Sequence, residues 1–369
     1  MPGYFEIFIL VIWRTEMVKK DYTLKEILNQ AKAIKAAYDD IICKDAGADL
    51  LKKHYDELIL FGCGTDYNLC QSAVFFSKSL MNDKSFQALP SSELLLNTET
   101  YINKDKKYLL VGFSRSGETT ESIDILKRFK NKRNITTFIF SARENSTIVK
   151  LSDSSFISKE ALEKSIAMTQ AYTCFLFSYC LILAKTLNRK DIVDEFKDIV
   201  DFLNLNIDKL FTEISNYVNT VSFKKCFVLG SGFNYGIAVE ADLKLKEMAQ
   251  VESYSYHLHE FIHGPKTLVD DKSLCLILTL DKRSSGSKDV LKEILGYGSK
   301  LLTIDCKDLL KVENDSIYNI ISNPGFKIEM VKSFLNIPVF QILAYSKAIK
   351  NGLNPDIPRN LNYTTKLTI

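Results

Sequence analysis

Two segments of this 369-residue chain repeat one pattern 168 residues apart, and that repetition limits the fold more than any other feature. FGCGTDYN (61–68) and LGSGFNYG (229–236) each close an apolar run with Gly-x-Gly, two further residues and a tyrosine, and each opens a helical pattern. Gly62 and Gly230, Gly64 and Gly232, and Tyr67 and Tyr235 all keep the same offset. A period this long means duplicated domains, not a solenoid.

Around each copy, short apolar runs alternate with longer helical patterns, the signature of a parallel sheet covered on both faces. The expected strands of the first half are ELILFG (57–62), SFQAL (85–89), KYLLVGF (107–113), ITTFIFS (135–141) and SFIS (155–158). Those of the second are KCFVLG (225–230), VESYSY (251–256), SLCLILTL (273–280), SKLLTI (299–304) and FKIE (326–329). The segment near 186–222 reads as helical material joining the halves. The expected fold class is α/β: two tandem domains, each a parallel sheet flanked by helices in three layers. The expected divisions are an N-terminal extension and helix (1–45), a first domain (46–200), a second domain (201–345) and a C-terminal tail (346–369).

Composition removes several function classes. A net charge of +3 supplies no concentrated basic face, so no nucleic acid is expected as a partner. The eight cysteines are scattered without a CxxC pair and fall mostly in apolar runs, as expected of free thiols in a reducing, cytoplasmic compartment. Residues 165–184 are uncharged over a spanning length but carry Ser, Thr and Gln170, so a buried helix is expected there and no membrane partner. Nor do the glycines make a dinucleotide site, because Tyr67 and Tyr235 stand where GxGxxG needs its third glycine. No cofactor is expected.

The most informative loop is Ser114-Arg115-Ser116-Gly117-Glu118-Thr119-Thr120, between the strand KYLLVGF and the helix ESIDILKRF. A helix N-terminus offers unpaired N–H groups and the positive end of the dipole, which suits a phosphate dianion. Four hydroxyls, from Ser114, Ser116, Thr119 and Thr120, add donors, and Gly117 lets the backbone come close. An N-cap needs only one such residue. No Gly-Lys-Ser/Thr follows, so a nucleotide P-loop is excluded.

With this loop on the page, the chain resembles the SIS (sugar isomerase) family of phosphosugar-binding domains. More particularly, it resembles the isomerase half of glutamine–fructose-6-phosphate aminotransferase and the archaeal and bacterial glucosamine-6-phosphate deaminases and fructosamine-6-phosphate deglycases. The matching stretches are LKEILNQ (24–30), FGCGTDYN, FSRSGETTES, AVEADLKLKE (238–247), EFIHGP (260–265) and NPDIPRNL (354–361), in order along nearly the whole chain. LKEILNQ lies near the beginning of such units, which suggests Met17 as the true start and leaves residues 1–16 without a role.

His259-Glu260-x-x-His263 also fits the HExxH pattern of zinc peptidases. A zincin needs both histidines on one face of a continuing helix and a third ligand. Here Gly264-Pro265 stops any helix at His263, and no later histidine exists. No metal is expected. The resemblance instead implies that His263 opens the sugar ring in the active site of a neighbouring subunit, with Glu260 as the loop's glutamate. It implies a homodimer in which this loop histidine is shared across the interface. It also makes Glu247 the base that moves a proton between C1 and C2, with Lys244 on the same helical face. It places Cys63, Gly64 and Thr65 beside the sugar, Ser114, Arg115, Ser116, Gly117 and Thr119 at the phosphate, and Ile166, within EKSIAMTQAY (163–172), on another wall. A base for this step is expected to be held near neutrality by burial.

Three departures bear on the reaction. No glutaminase unit with its N-terminal cysteine is expected ahead of the isomerase unit. Tyr363 stands where the aminotransferase has its Schiff-base lysine, two residues after PRNL, with Lys366 three residues further on. Asp66 replaces a phosphate-side serine and Arg115 a glutamine. A carboxylate there is unfavourable unless Arg115 or a substrate amine compensates. The expected activity is conversion of glucosamine 6-phosphate to fructose 6-phosphate and ammonia. The alternatives are a ketosamine 6-phosphate deglycase, an aminotransferase-type isomerase subunit without its glutaminase, and a non-catalytic phosphosugar sensor.

Overall fold

The computed structural model describes residues 21–278, 286–305, 315–321 and 324–364. Ten strands form two five-stranded sheets, every pairing parallel. The first holds β1 (Glu57–Gly62), β2 (Ser85–Pro90), β3 (Tyr108–Ser114), β4 (Ile135–Ser141) and β5 (Ser154–Ile157), in the order β2-β1-β3-β4-β5. The second holds β6 (Lys225–Gly230), β7 (Glu252–His257), β8 (Ser273–Ile277), β9 (Lys300–Ile304) and β10 (Ile317–Ile320), in the order β10-β9-β8-β6-β7. Read from the other end, that is the order of the first sheet. The duplication seen in two loops therefore extends to the whole strand topology.

Nine of the ten expected strands lie on these elements; FKIE does not. Residues 326–328 are irregular, and the N–H groups of Lys327 and Ile328 donate to the Glu195 carboxylate (3.0 and 2.9 Å) instead of to a sheet. The outer strand is IYNI, paired with β9 in register Ile317–Leu301 to Ile320–Ile304.

The principal helices are α1 (Tyr22–Cys43), α2 (Thr65–Leu80), α3 (Thr120–Phe129), α4 (Gln170–Thr186), α5 (Lys190–Thr220), α6 (Phe233–Ala249), α7 (Gly286–Gly296) and α8 (Asn336–Lys350). α4 is buried from Gln170 to Ala184, the uncharged stretch now serving as a core helix. Among the described residues, no helix is long and apolar enough to cross a membrane. α5 runs unbroken through residue 200 and links the halves.

The largest hydrophobic cluster joins α1, α2, α4, α5, α6 and α8 with one face of each sheet. Smaller clusters cover the opposite faces, giving each sheet helices on both sides. α2 and α6, the helices that follow the two Gly-x-Gly turns, cross where Gly236 meets Ser72. A Cβ on Gly236 would lie 2.4 Å from Ser72 Oγ, and that hydroxyl donates to the Phe233 carbonyl (2.8 Å). Glycine at this crossing sets the helix spacing and brings the inner face of α6 to the N-terminus of α2.

Candidate active site

In a sheet ordered 2-1-3, the connections leaving β1 and β3 run to opposite sides, and ligands settle in the crevice between their carboxyl ends. A cavity of about 260 Å³ lies there. The turn after β1, the loop after β3, the inner face of α6, residues 166–168 and the C-terminal segment 361–364 line it.

Both Gly-x-Gly turns use the left-handed backbone at the second glycine: Gly64 has φ +56° and Gly232 +59°. The first glycine is fixed by closeness, since a Cβ on Gly62 would come within 2.5 Å of the Asp66 backbone. The turn after β1 thus delivers Cys63, Gly64, Thr65 and Asp66 to the cavity. Burial pushes the Cys63 thiol up to about 11, so it is a wall and not a nucleophile.

In the loop after β3, Ser116 and Thr119 line the cavity, whereas Ser114 and Gly117 shape the loop. Ser114 Oγ accepts from Gly117 N–H (3.0 Å), and Ser116 Oγ accepts from Glu118 N–H (3.2 Å). Gly117, at φ +68°, has no room for a side chain, since a Cβ would meet Ser146 Oγ at 2.2 Å. Thr119 is the N-cap of α3, yet its hydroxyl makes no capping bond. The fourth hydroxyl of the pattern, that of Thr120, is not part of the cavity lining.

Arg115 lines the cavity with its guanidinium already engaged. It donates to Glu163 (2.9 Å) and to the carbonyls of Ser165 (3.2 Å) and Ile166 (2.8 Å), and the Tyr363 ring lies 4.2 Å away. Its role here is to brace the Ile166–Met168 wall. Tyr363 closes that wall from the tail, its hydroxyl donating to the Glu163 carbonyl (3.1 Å). Lys366 lies outside the described residues.

Facing the loop is a row on α6. Lys244 is fully buried between Glu240 (3.3 Å) and Glu247 (2.5 Å), and it donates to Thr65 Oγ1 (3.1 Å). Glu240 also accepts from Thr65 (3.1 Å) and Asn68 (3.0 Å). Burial pushes the Glu240 carboxyl up to about 7, against the Lys244 charge, which lowers it. Burial alone would lower the Lys244 pKa, but its two carboxylate neighbours outweigh that and hold it above the usual lysine range. Glu240 escaped the sequence reading. The signal was its spacing, since residues 240, 244 and 247 fall on one face of a helix.

The histidine loop is elsewhere. His259 precedes a single 3-10 turn, Glu260–Ile262, and Gly264 at φ +128° ends it, so the two HExxH histidines do not share an α-helical face. His263 and Glu260 are exposed and do not line this chain's cavity. His257 stacks on Tyr235 at 3.7 Å, and His259 lies 3.5 Å from Ser287 Oγ.

A duplicated parallel α/β chain with its crevice at a strand-order switch, walled by a hydroxyl-bearing helix start and by Lys244 and Glu247 of α6, belongs to the class of tandem α/β proteins. The SIS domain pattern matches residues 50–185 and 221–349, most of the chain, and the chain belongs to that family. It is 28% identical over 364 residues to the Francisella tularensis glutamine–fructose-6-phosphate aminotransferase (isomerizing), and 29% over 369 residues to that of Pyrococcus horikoshii. These alignments cover 93% and 95% of this chain, but the chain spans only 58% and 59% of the two relatives. A crystal structure of a Thermotoga maritima glucosamine-6-phosphate deaminase matches with TM-score 0.76 and 25% identity, covering 94% of this chain and all of that one.

Proposed function

We propose that this chain is a phosphosugar isomerase/deaminase, converting glucosamine 6-phosphate to fructose 6-phosphate and ammonia. The observation that carries this reading is the pair Lys244 and Glu247, backed by Glu240, facing the Ser116–Thr119 helix start across one small cavity. One wall offers N–H groups and hydroxyls to a phosphate; the other offers a carboxylate and an ammonium to the reacting carbons. Supporting it are relatives whose names join aminotransferase, isomerase and deaminase chemistry on this fold. Enclosed sites for drug-sized ligands begin near roughly 300 Å³, so a cavity of about 260 Å³ suits a single small metabolite.

In this mechanism His263 of a neighbouring copy opens the pyranose, freeing the C1 aldehyde. Glu247 removes the C2 proton, and the electron pair moves through C1 to O1, where Lys244 and its partner Thr65 meet the developing negative charge. Glu247 returns the proton to C1 while one proton of the amine passes to O1, leaving a C1 hydroxyl and a C2 iminium. Water adds at C2 and ammonia departs. Nitrogen comes from the substrate, so no glutamine is consumed, and the steps need no Schiff-base lysine at position 363.

The test is release of ammonia and fructose 6-phosphate from glucosamine 6-phosphate, with glutamine absent and EDTA present. Equal release of both, lost in Glu247→Gln, is the expected result. No release from glucosamine 6-phosphate, with release of an amine from a fructosamine 6-phosphate, would move the assignment to the deglycase.

A further inference from the structure

Residues 163–169 carry one wall of the cavity, and two buried carboxyls outside the cavity lining shape it. Glu163 closes the segment from within. One of its oxygens accepts from Thr169 N–H (2.7 Å) and the Thr169 hydroxyl (2.9 Å), the other from Arg115 (2.9 Å). Glu26, near the start of α1, holds the segment from behind. Its Oε1 accepts from the N–H groups of Lys164 (2.5 Å) and Ser165 (3.2 Å), and its Oε2 meets the Ser165 hydroxyl. Neither Glu26 nor Ser165 lines the cavity, but Ile166 and Met168, on either side of Ala167, do.

Ser165 has one hydroxyl hydrogen and two acceptors in reach, because its Oγ also lies 2.9 Å from the Ala167 carbonyl. With Glu26 ionised, that hydrogen serves one acceptor and leaves the other facing a lone pair. A proton on Glu26 Oε2 turns both contacts into bonds: Glu26 donates to Ser165 Oγ, and Ser165 donates to the Ala167 carbonyl. Oε1 keeps its two N–H partners in either state. The surroundings favour that proton. Burial raises Glu26 to about 7 and the charge of Glu163 adds to it, against the bonds from Ser165 and Lys164. Arg115, the cation of this wall, is paired with Glu163 at 2.9 Å. Lys25 and Lys32 of α1 and Asp208 of α5 share the groove behind Glu26, and the Lys164 ammonium lies 5.1 Å over the Tyr22 ring. The 3-10 turn packed against α1 brings Glu160 and Lys159, the latter paired with Glu144 (3.1 Å). At the start of α1, Asp21 and Asp356 accept from its N–H groups, and Tyr345 of α8 donates to Asp21.

We infer that Glu26 and Ser165 are positioning residues, a hydrogen-bond relay that sets the Ile166–Met168 wall for the substrate. The inference rests on the phosphosugar reading and extends it to residues outside the cavity. With the relay complete, the Ala167 carbonyl is fixed, and the side chains on either side of it keep their place. As pH rises through about 7, Glu26 gives up its proton, Ser165 turns to the carboxylate and the Ala167 carbonyl is released. The wall loosens and substrate is held less tightly, while Glu247 on α6 stays where it is. Glutamine at position 26 reproduces the protonated state. Its amide donates to Ser165 Oγ, its carbonyl accepts the two N–H groups, and it does not titrate.

The experiment is steady-state kinetics of ammonia release from glucosamine 6-phosphate between pH 6 and pH 8, for wild type, Glu26→Gln and Ser165→Ala. Dividing the wild-type KM by that of Glu26→Gln at each pH cancels the titrations both proteins share. The ratio is expected to be near one at pH 6 and to rise about two- to tenfold by pH 8, the scale of one hydrogen bond, with kcat moving less. Ser165→Ala has no relay, so its KM should stand at the raised level throughout and wild type should approach it as pH rises. Melting curves check that each variant is folded, and either one decides if the other is not. Infrared difference spectra of wild type against Glu26→Gln read the proton without substrate: a protonated-carboxyl band is expected at pH 6 and lost by pH 8. No such band, or KM ratios level across the range, overturns the relay and leaves the phosphosugar reading standing. If wild type does not turn over glucosamine 6-phosphate, that reading falls and takes the effect on KM with it, while the infrared band still judges the proton on Glu26.

Discussion

Lys244 keeps its charge without solvent contact because carboxylates flank it one helical turn away on either side. Under the proposed mechanism that arrangement divides labour: Glu240 anchors the ammonium through Thr65 and Asn68, and Glu247, at the cavity edge, meets the substrate. Replacing Glu247 by Gln keeps the shape and removes the base. Turnover is expected to fall by about 10²- to 10⁴-fold, as for general bases elsewhere, and the melting temperature to drop, because the buried Lys244 loses one of its two counter-charges. Steady-state kinetics beside a thermal melt measure both, and a loss that appears in KM alone would deny Glu247 the proton transfer. Much of this site was legible in the sequence, because motif residues such as Thr65, Ser116, Lys244 and Glu247 do converge. Glu240 and Glu163 were not. A charged residue on a helix reads by default as solvated surface, and only the packing of α6 on α2, or of Arg115 on Glu163, shows that these carboxylates are buried.

At the scale of elements, apolar runs bounded by turn residues gave nine strands correctly; six of them are buried almost throughout, and a strand buried on both faces has little freedom to be anything else. The tenth was misplaced because an edge strand is short and half exposed. IYNI and FKIE have similar patterns, and only the Glu195 carboxylate, which takes the N–H groups of Lys327 and Ile328, decides between them. A similar side-chain capture fixes the tail. Asp356 accepts from the N–H groups of Tyr22 (3.0 Å) and Thr23 (2.7 Å) and from the Thr23 hydroxyl (2.7 Å), and its carbonyl accepts from Ile166 N–H (3.0 Å). It therefore ties the start of α1, the Ile166 wall and the segment carrying Tyr363 together. Asp356→Ala is expected to cost about 1–3 kcal/mol of stability, as when charged hydrogen bonds and a helix start are lost. It should also raise KM more than it lowers kcat, because the wall loosens while Glu247 stays in place. Denaturant melts and kinetics on the one variant check both, and an unchanged KM would separate the tail from the cavity.

At the scale of the whole molecule, the cavity's buried carboxyls tie stability to pH. Asp66 and Glu240 are both raised to about 7 in the fold, mainly by burial, from ordinary values near 4. The native state therefore binds more protons than the unfolded chain between about pH 4 and 7. Their contribution is fully present below the unfolded pKa and is lost as pH rises through 7. Wild type is expected to lose more melting temperature between pH 5 and pH 8 than Asp66→Asn or Glu240→Gln, which cannot titrate at those positions. Parallel slopes in all three proteins would show that neither carboxyl titrates there.

The exposed His263 poses the last question of scale, because it lies outside the lining of its own chain's cavity and the proposed mechanism has it serve a neighbouring copy. Mixing two inactive variants, His263→Ala and Glu247→Gln, distinguishes the arrangements. If the histidine serves the neighbouring site, a mixed dimer has one site with both defects and one with neither, so random re-association restores about a quarter of the wild-type sites. If each histidine serves its own chain, every site in every dimer carries one defect and mixing restores nothing. Recovery near a quarter, rising with time of subunit exchange and absent in either variant alone, is the expected outcome. It would make the dimer the smallest complete enzyme.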